Sequence, residues 1–307
     1  MQILAGVGAT ARVSVAGYFG GGYDGSTISG IDKITFPADT KTTLGATLTA
    51  GSLGLAGMAN SGVAGYFGGG SDGSLKSGID KITFPADTKT TLSATLTTGR
   101  YGLAGMANSG VAGYFAGGSD SAGYVSGIDK ITFPADSKST LSATLTTARY
   151  FPAGMANSGV AGYFAGGYDG VRKNNIDKIT FPADTKSTLS ATLTTARNGL
   201  AGMANSGVAG YLGGGYDGST ISGIDKITFS TDTKSTLSAT LSTQRSTCAA
   251  MADTENAGYI GAGTNSSNVK TSSIDKVNFS TDAVTTLSAT LSSGREQLAG
   301  FADCGVF

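Results

Sequence analysis

Leu55-Ala-Gly-Met-Ala-Asn-Ser-Gly-Val-Ala-Gly-Tyr-Phe-Gly-Gly-Gly70 and, after a polar loop, Ile79-Asp-Lys-Ile-Thr-Phe-Pro-Ala-Asp-Thr-Lys-Thr-Thr-Leu-Ser-Ala-Thr-Leu96 are the two halves of one repeating unit. The Ile of Ile-Asp-Lys returns at Ile31, Ile79, Ile128, Ile176, Ile224 and Ile274, and the Tyr of the Gly-Tyr strand at Tyr18, Tyr66, Tyr114, Tyr163, Tyr211 and Tyr259. The period is about 48 residues over a chain of 307. Self-similarity at 40 to 50 residues marks propellers, solenoids and arrays, whose units bury their apolar faces only against neighbours. Residues 1–307 therefore read as one architecture of six repeats rather than two domains.

Within the unit, Leu55–Ala59 is small and apolar, suited to a strand in a crowded place, and Asn60-Ser-Gly62 is a tight turn. Val63–Phe67 reads as a second strand, ended by the glycines 68–70. Ile79–Phe84 is a third strand, Pro85–Lys89 a turn, and Thr90–Leu96 a fourth strand alternating Thr or Ser with Leu or Ala. No segment has helical periodicity, so the expectation is an all-β, six-bladed β-propeller with four antiparallel strands per blade. Leu298–Val306 matches Leu200–Val208 and would complete the first blade from the C-terminal end, leaving no open sheet edge. Ile3–Val7 competes for the same slot with a shorter match.

Composition excludes several function classes. Formal net charge is zero and 14% of residues are charged, so nothing draws in nucleic acid or an anionic membrane surface. No apolar run approaches the length of a membrane span, and Met1–Thr10 reads as part of the first repeat rather than a signal peptide. The absence of His removes Ser-His-Asp and Cys-His nucleophilic sites and imidazole metal sites together. Cys248 replaces a strand Leu and Cys304 a turn Ser, so nothing in their register supports a disulfide. Tyr-Asp-Gly at 23–25, 168–170 and 216–218 offers one carboxylate per loop, which fits a plain turn better than calcium. The expectation is no cofactor, no metal and no enzymatic activity.

The two ends of the blades differ. Turns 1–2 and 3–4 share one face and barely change between copies. The 2–3 loops and 4–1 connections share the other and vary in nearly every copy. On that variable face lie Tyr23, Tyr101, Tyr124, Tyr150, Tyr168 and Tyr216, with Arg100, Arg149, Arg172, Arg197, Arg245 and Arg295. Tyr and Arg are enriched where one protein surface recognises another, which makes these twelve the candidate binding residues. For the recurring Arg a structural reading stands beside that one: hydrogen bonds to carbonyls of the adjacent glycine turn, with the stem packed across the blade edge. The Asp of Ile-Asp-Lys, present in every copy, reads as an acceptor for backbone N–H groups rather than a catalytic acid.

The order of features, with a strand ending in glycines, a loop, a strand, a turn and a strand leading to Arg, resembles the kelch repeat. It departs from kelch where the fourth-strand Trp is replaced by Leu44, Leu92, Leu141, Leu189, Leu237 and Leu287. Gly-Tyr-Phe-Gly-Gly, Ile-Asp-Lys-Ile-Thr-Phe and Leu-Ser-Ala-Thr-Leu-Thr-Thr together are similar to kelch-like repeat proteins of bacteriophages. That resemblance implies a virion structural protein made in the host cytoplasm: a tail or baseplate appendage, a fibre tip or a head decoration. Its partners would be other virion proteins, in multiple copies, and a host-surface glycan or protein, with no nucleic acid and no membrane insertion. A cellular or secreted lectin-like adhesin and a kelch-type interaction scaffold remain as alternatives.

Overall fold

The computed structural model describes residues 16–254 and 256–304, all in strands, turns and loops. Six four-stranded antiparallel sheets form a β-propeller. The second blade shows the plan: Ala56–Asn60 innermost, then Ala64–Gly68, Ile79–Thr83 and Thr88–Thr91 at the outer edge. Blades three to five repeat it, and blade six does so with Ala249–Asp253, Ala257–Gly261, Ile274–Asn278 and Val284–Thr286. In blade one the innermost strand is Ala299–Ala302, paired with Ala16–Gly20 in the register Gly17↔Ala302 to Gly20↔Ala299. The C-terminal strand therefore closes the ring; the competing Ile3–Val7 lies outside the described residues.

The outer strand is shorter than its pattern predicts. It ends at Thr91, and Leu92–Leu96 leaves the ladder. The Leu92 and Leu96 N–H groups reach back to the Ile79 and Ser77 carbonyls at 2.9 and 2.8 Å, which lays Leu96 onto the core. Burial of the Leu side chain wins over continued pairing at an exposed edge. No disulfide joins Cys248 and Cys304.

Each blade interface repeats the same chemistry. At five interfaces the Met of one inner strand fills the space over the Gly of the next blade's second strand, as Met58 does over Gly113 and Met106 over Gly162, where a Cβ would overlap the thioether; between blades one and two Phe301 takes this place over Gly65. The strand Tyr stacks on the Phe of the next blade's turn, with centroids 4.8–5.3 Å apart from Tyr18–Phe84 round to Tyr259–Phe36. Such pairs contribute about 0.5–1.5 kcal/mol each beyond burial. The Asp three residues after that Phe then takes both polar ends: Tyr66 Oη donates to Asp136 at 2.8 Å and Lys81 Nζ at 2.6 Å. Asp39, Asp87, Asp136, Asp184, Asp232 and Asp282 do this at all six interfaces. All six sit at φ 53–56°, a left-handed conformation that Asp tolerates better than most residues.

A second carboxylate holds the chain between blades. Asp129 of the third strand accepts the N–H and hydroxyl of Thr97, the Thr140 hydroxyl and Arg100 Nη2 at 3.0 Å. The same pattern joins Asp177 to Arg149, Asp225 to Arg197, Asp275 to Arg245 and Asp32 to Arg295. The connection that leaves one blade is thus clamped onto the next. Closer to the axis six N–H groups form a closed ring: Gly102 donates to Gly54, Phe151 to Gly102, Gly199 to Phe151, Thr247 to Gly199, Gln297 to Thr247 and Gly54 to Gln297, at 2.6–3.0 Å. These six residues all have φ of 52–64°, which three meet with Gly and three with Phe151, Thr247 and Gln297.

Two predictions follow from this packing. Asp136→Ala leaves Tyr66 and Lys81 without their acceptor and should cost about 2–4 kcal/mol in denaturant unfolding. A loss within the noise of the measurement would show that the interface does not depend on the contact. The second concerns pH. Burial opposes ionisation of Asp32, Asp80, Asp129, Asp177 and Asp225, but the hydrogen bonds and cations around them outweigh it and hold them below the ordinary carboxylate range. Their contribution is complete above the unfolded value of about 4 and is lost as pH falls below it. Burial, then the facing Asp, raises the six strand phenols, with Lys226 opposing the shift at Tyr211. Their contribution is complete below about pH 10 and is lost as pH rises beyond it. Melting temperature should therefore fall off on both sides of a plateau, and phenolate absorbance from these tyrosines should appear only as structure is lost.

Candidate functional site

The ladder registers place Asn60 beside Ala64 and Thr83 beside Thr88, so turns 1–2 and 3–4 share one end of the blade. At the other end the 2–3 loop and the 4–1 connection pair with each other. Tyr101 bridges Ser119, Tyr150 bridges Tyr168, Asn198 bridges Tyr216, and Tyr23 bridges Glu296. The Tyr150–Tyr168 pair exchanges both N–H···O bonds at 3.0 Å. Tyr124 stands on a short hairpin of Ser119–Asp120 with Gly123–Tyr124. The variable loops are thus fixed by backbone pairing before any ligand arrives, which lowers the ordering cost of recognition.

This pairing brings together tyrosines far apart in sequence. Tyr124 stacks on Tyr150 with centroids 5.3 Å apart and planes 8° from parallel. Tyr168 meets both edge-on at 6.1 and 5.7 Å, and Tyr101 meets Tyr150 edge-on at 6.1 Å. Phe151 joins Tyr150 at 4.9 Å and Tyr101 at 6.0 Å. Arg172 lies over the Tyr216 ring at 4.6 Å and close enough to Tyr150 to favour its phenolate. Burial first, then the neighbouring phenols of Tyr101, Tyr124 and Tyr168, nevertheless raise the Tyr150 pKa. The result is a continuous aromatic patch over blades three to five, with Tyr124 and Tyr216 its most exposed members at 42% and 37%. Tyr23 stands apart on blade one, beneath Lys270 at 5.0 Å.

Five of the candidate binding residues are not on this surface. Arg100, Arg149, Arg197, Arg245 and Arg295 are 0–2% exposed. Four of them place Nη2 on a strand carbonyl (Phe115, Phe164, Leu212 and Phe19), and all five pair with the Asp of Ile-Asp-Lys. A guanidinium covered by its own connection and neutralised by a buried carboxylate has no face left for a ligand, so these five belong to blade packing. The same burial pushes Arg100, Arg149, Arg197 and Arg295 below the ordinary guanidinium range. Arg172, which does not recur between blades, is the one candidate Arg that joins the patch.

Phe151 belongs to the site although its residue type alone did not single it out. Its signal was positional: it stands in a slot that other copies fill with Gly54, Gly102 and Gly199. Beneath that ring lies a cavity of about 70 Å³ lined by Leu55, Leu103, Pro152, Leu200, Cys248 and Leu298. Burial pushes the Cys248 thiol up to about 11, which leaves it protonated and unreactive at neutral pH. The carboxylates of the Tyr-Asp-Gly loops act locally: Asp24 and Asp217 accept the N–H groups of Ser26 and Ser219, and Asp169 that of Val171. Such contacts are those of Asx turns.

Comparison with known protein families finds no family model that matches the chain, and comparison with curated proteins finds none that matches it.

The patch predicts a separation of stability from surface properties. Tyr124→Ala combined with Tyr216→Ala should change unfolding free energy by less than about 1 kcal/mol, since both rings are substantially exposed. The same change should alter the near-ultraviolet circular dichroism that the stacked Tyr124–Tyr150 pair contributes. A large loss of stability would instead make the patch part of the core.

Proposed function

We propose that the chain is a non-enzymatic recognition module carried on a bacteriophage particle, with its variable face turned toward a host-surface glycan or protein. The observation that carries this reading is the preorganised aromatic patch of Tyr101, Tyr124, Tyr150, Phe151 and Tyr168, flanked by Arg172 and Tyr216. Stacked and edge-on phenol rings with polar tips suit both sugar rings and protein side chains. The recurring carboxylates support a non-enzymatic role, because each is engaged in the same inter-blade contacts in blade after blade. Resemblance of the repeats to kelch-like phage proteins supports placement on a virion.

The constant face is the one we assign to docking on other virion proteins. Val63, Val111, Val160 and Val208, each 44–54% exposed, occupy the same turn position of four successive blades. An arc of solvent-exposed valines repeated at one end of a ring is a surface suited to a partner rather than to water. A lectin-like adhesin using the same patch on glycans is the second reading, favoured by the near-parallel Tyr124–Tyr150 stack.

Quantitative mass spectrometry of gradient-purified phage particles tests the placement. Stoichiometric peptides of this chain that survive a salt wash are expected. Their absence from particles, with the protein found in cells or medium, would overturn it and leave the adhesin. Host-cell attachment by the purified protein should fall at least about tenfold when Tyr124, Tyr150 and Tyr168 are changed together to Ala.

A further inference from the structure

Five connections carry the buried Arg, and the sixth does not: the residue in that place before blade two is Ser52. The rest of the Arg site is kept. Asp80 still accepts the Thr49 N–H at 2.7 Å, the Thr49 hydroxyl at 2.6 Å and the Thr91 hydroxyl at 2.7 Å. Lys89 lies 3.2 Å from Asp80 Oδ1, matching Lys138 beside Asp129 and Lys41 beside Asp32, so this ammonium is compatible with a guanidinium at the same carboxylate. Phe67 occupies the place of Phe115, Phe164, Leu212 and Phe19, whose carbonyls receive the Arg in other blades. What replaces the side chain is a cavity of about 170 Å³, lined by Leu48, Leu55, Phe67, Lys76, Asp80 and Thr91 among others.

The cavity is matched to a guest of definite chemistry. Its apolar walls include Leu48, Leu55 and Phe67, and its charged groups are the Asp80 carboxylate and the Lys76 ammonium. The Asp80 side chain is 11% exposed, against 0–1% for Asp32, Asp129, Asp177, Asp225 and Asp275. The loss of the Arg therefore opens the carboxylate to solvent. Lys76 at the rim is held by Asp72 at 2.7 Å. Cavities of about 150 Å³ admit a benzene-sized guest, which is the size of a short alkylguanidinium. We propose that this pocket of blade two binds an alkylguanidinium cation, with the cation on Asp80 and its alkyl stem between Leu48, Leu55 and Phe67. The cation comes from a free small molecule of the arginine class or from an arginine side chain of a partner protein. The fold contains the recognition geometry five times over, with the guest covalently attached.

Guanidinium-class binding is read by titrating N-ethylguanidinium chloride into the full-length protein, with sodium chloride at equal ionic strength as the control. Wild type should show a saturable rise in melting temperature, as expected for a ligand that binds only the folded state. Ser52→Arg, which places the chain's own guanidinium in the pocket, should abolish that response, and Asp80→Asn should weaken binding at least about tenfold. Ser52→Arg keeps the test decisive if Asp80→Asn does not fold. No saturable effect on wild type, an equal effect on Ser52→Arg, or equal binding of n-butylammonium would each overturn the proposal. Two further arms separate the sources: free L-arginine matching N-ethylguanidinium assigns a small molecule, whereas clearly tighter binding of a capped arginine-containing peptide assigns a partner's side chain. This outcome is independent of particle association, since the pocket shares no residue with the aromatic patch.

Discussion

No blade of this protein can bury its own faces. Each four-stranded sheet is apolar on both sides, with Ile31, Ile34, Tyr18 and Phe19 of blade one all fully buried, so every sheet needs a neighbour on either hand. A row of such sheets has two unsatisfied ends, and closing the row into a ring removes both without capping units. Ala299–Ala302 accomplishes this by joining the last segment of the chain to the first described strand. The Tyr–Phe stacks, the Asp acceptors, the Met-over-Gly contacts and the axial ring of N–H groups all presuppose that closure, because each passes from one blade to the next.

The two faces are separated by what they contribute to that ring. At the constant end the left-handed Asp of each turn ties its blade to the preceding one through Tyr and Lys, which leaves little freedom for the turn to vary. At the variable end the backbone bridges between loop and connection do the holding, and they use N–H and C=O groups that any side chain supplies. Sequence can then change there without loosening the fold, and Tyr residues accumulate where substitution is tolerated. The buried Arg sits between the two regimes. It clamps the connection onto the third-strand Asp, yet the site before blade two retains its other hydrogen bonds with Ser52 in its place.

Much of this was legible in the residues. The period, the strands and the closure by the C-terminal copy followed from self-similarity, and the recurring Asp as an acceptor of N–H groups followed from its presence in every unit. Two things were not legible. Thr and Leu alternate through Thr90–Leu96 as in a strand, but the Leu side chains have a core to reach and the segment bends to reach it. For the recurring Arg the residues left a binding surface and a structural contact with nearby carbonyls both open; burial favours the structural one, and what the residue type did not show is the pairing with Asp129 and its equivalents. The patch itself was half visible: Tyr101, Tyr124, Tyr150 and Tyr168 shared a face by loop parity, but their mutual contact depends on bridges between segments up to about one blade apart.

Native-state hydrogen exchange on the intact protein tests closure most directly. The amides of Gly54, Gly102, Phe151, Gly199, Thr247 and Gln297 form one ring, and the account predicts that all six exchange together and only through global unfolding. Faster exchange at residues 16–20 and 299–302, with the other blades still protected, would contradict it by showing that the closing strand opens independently of the ring.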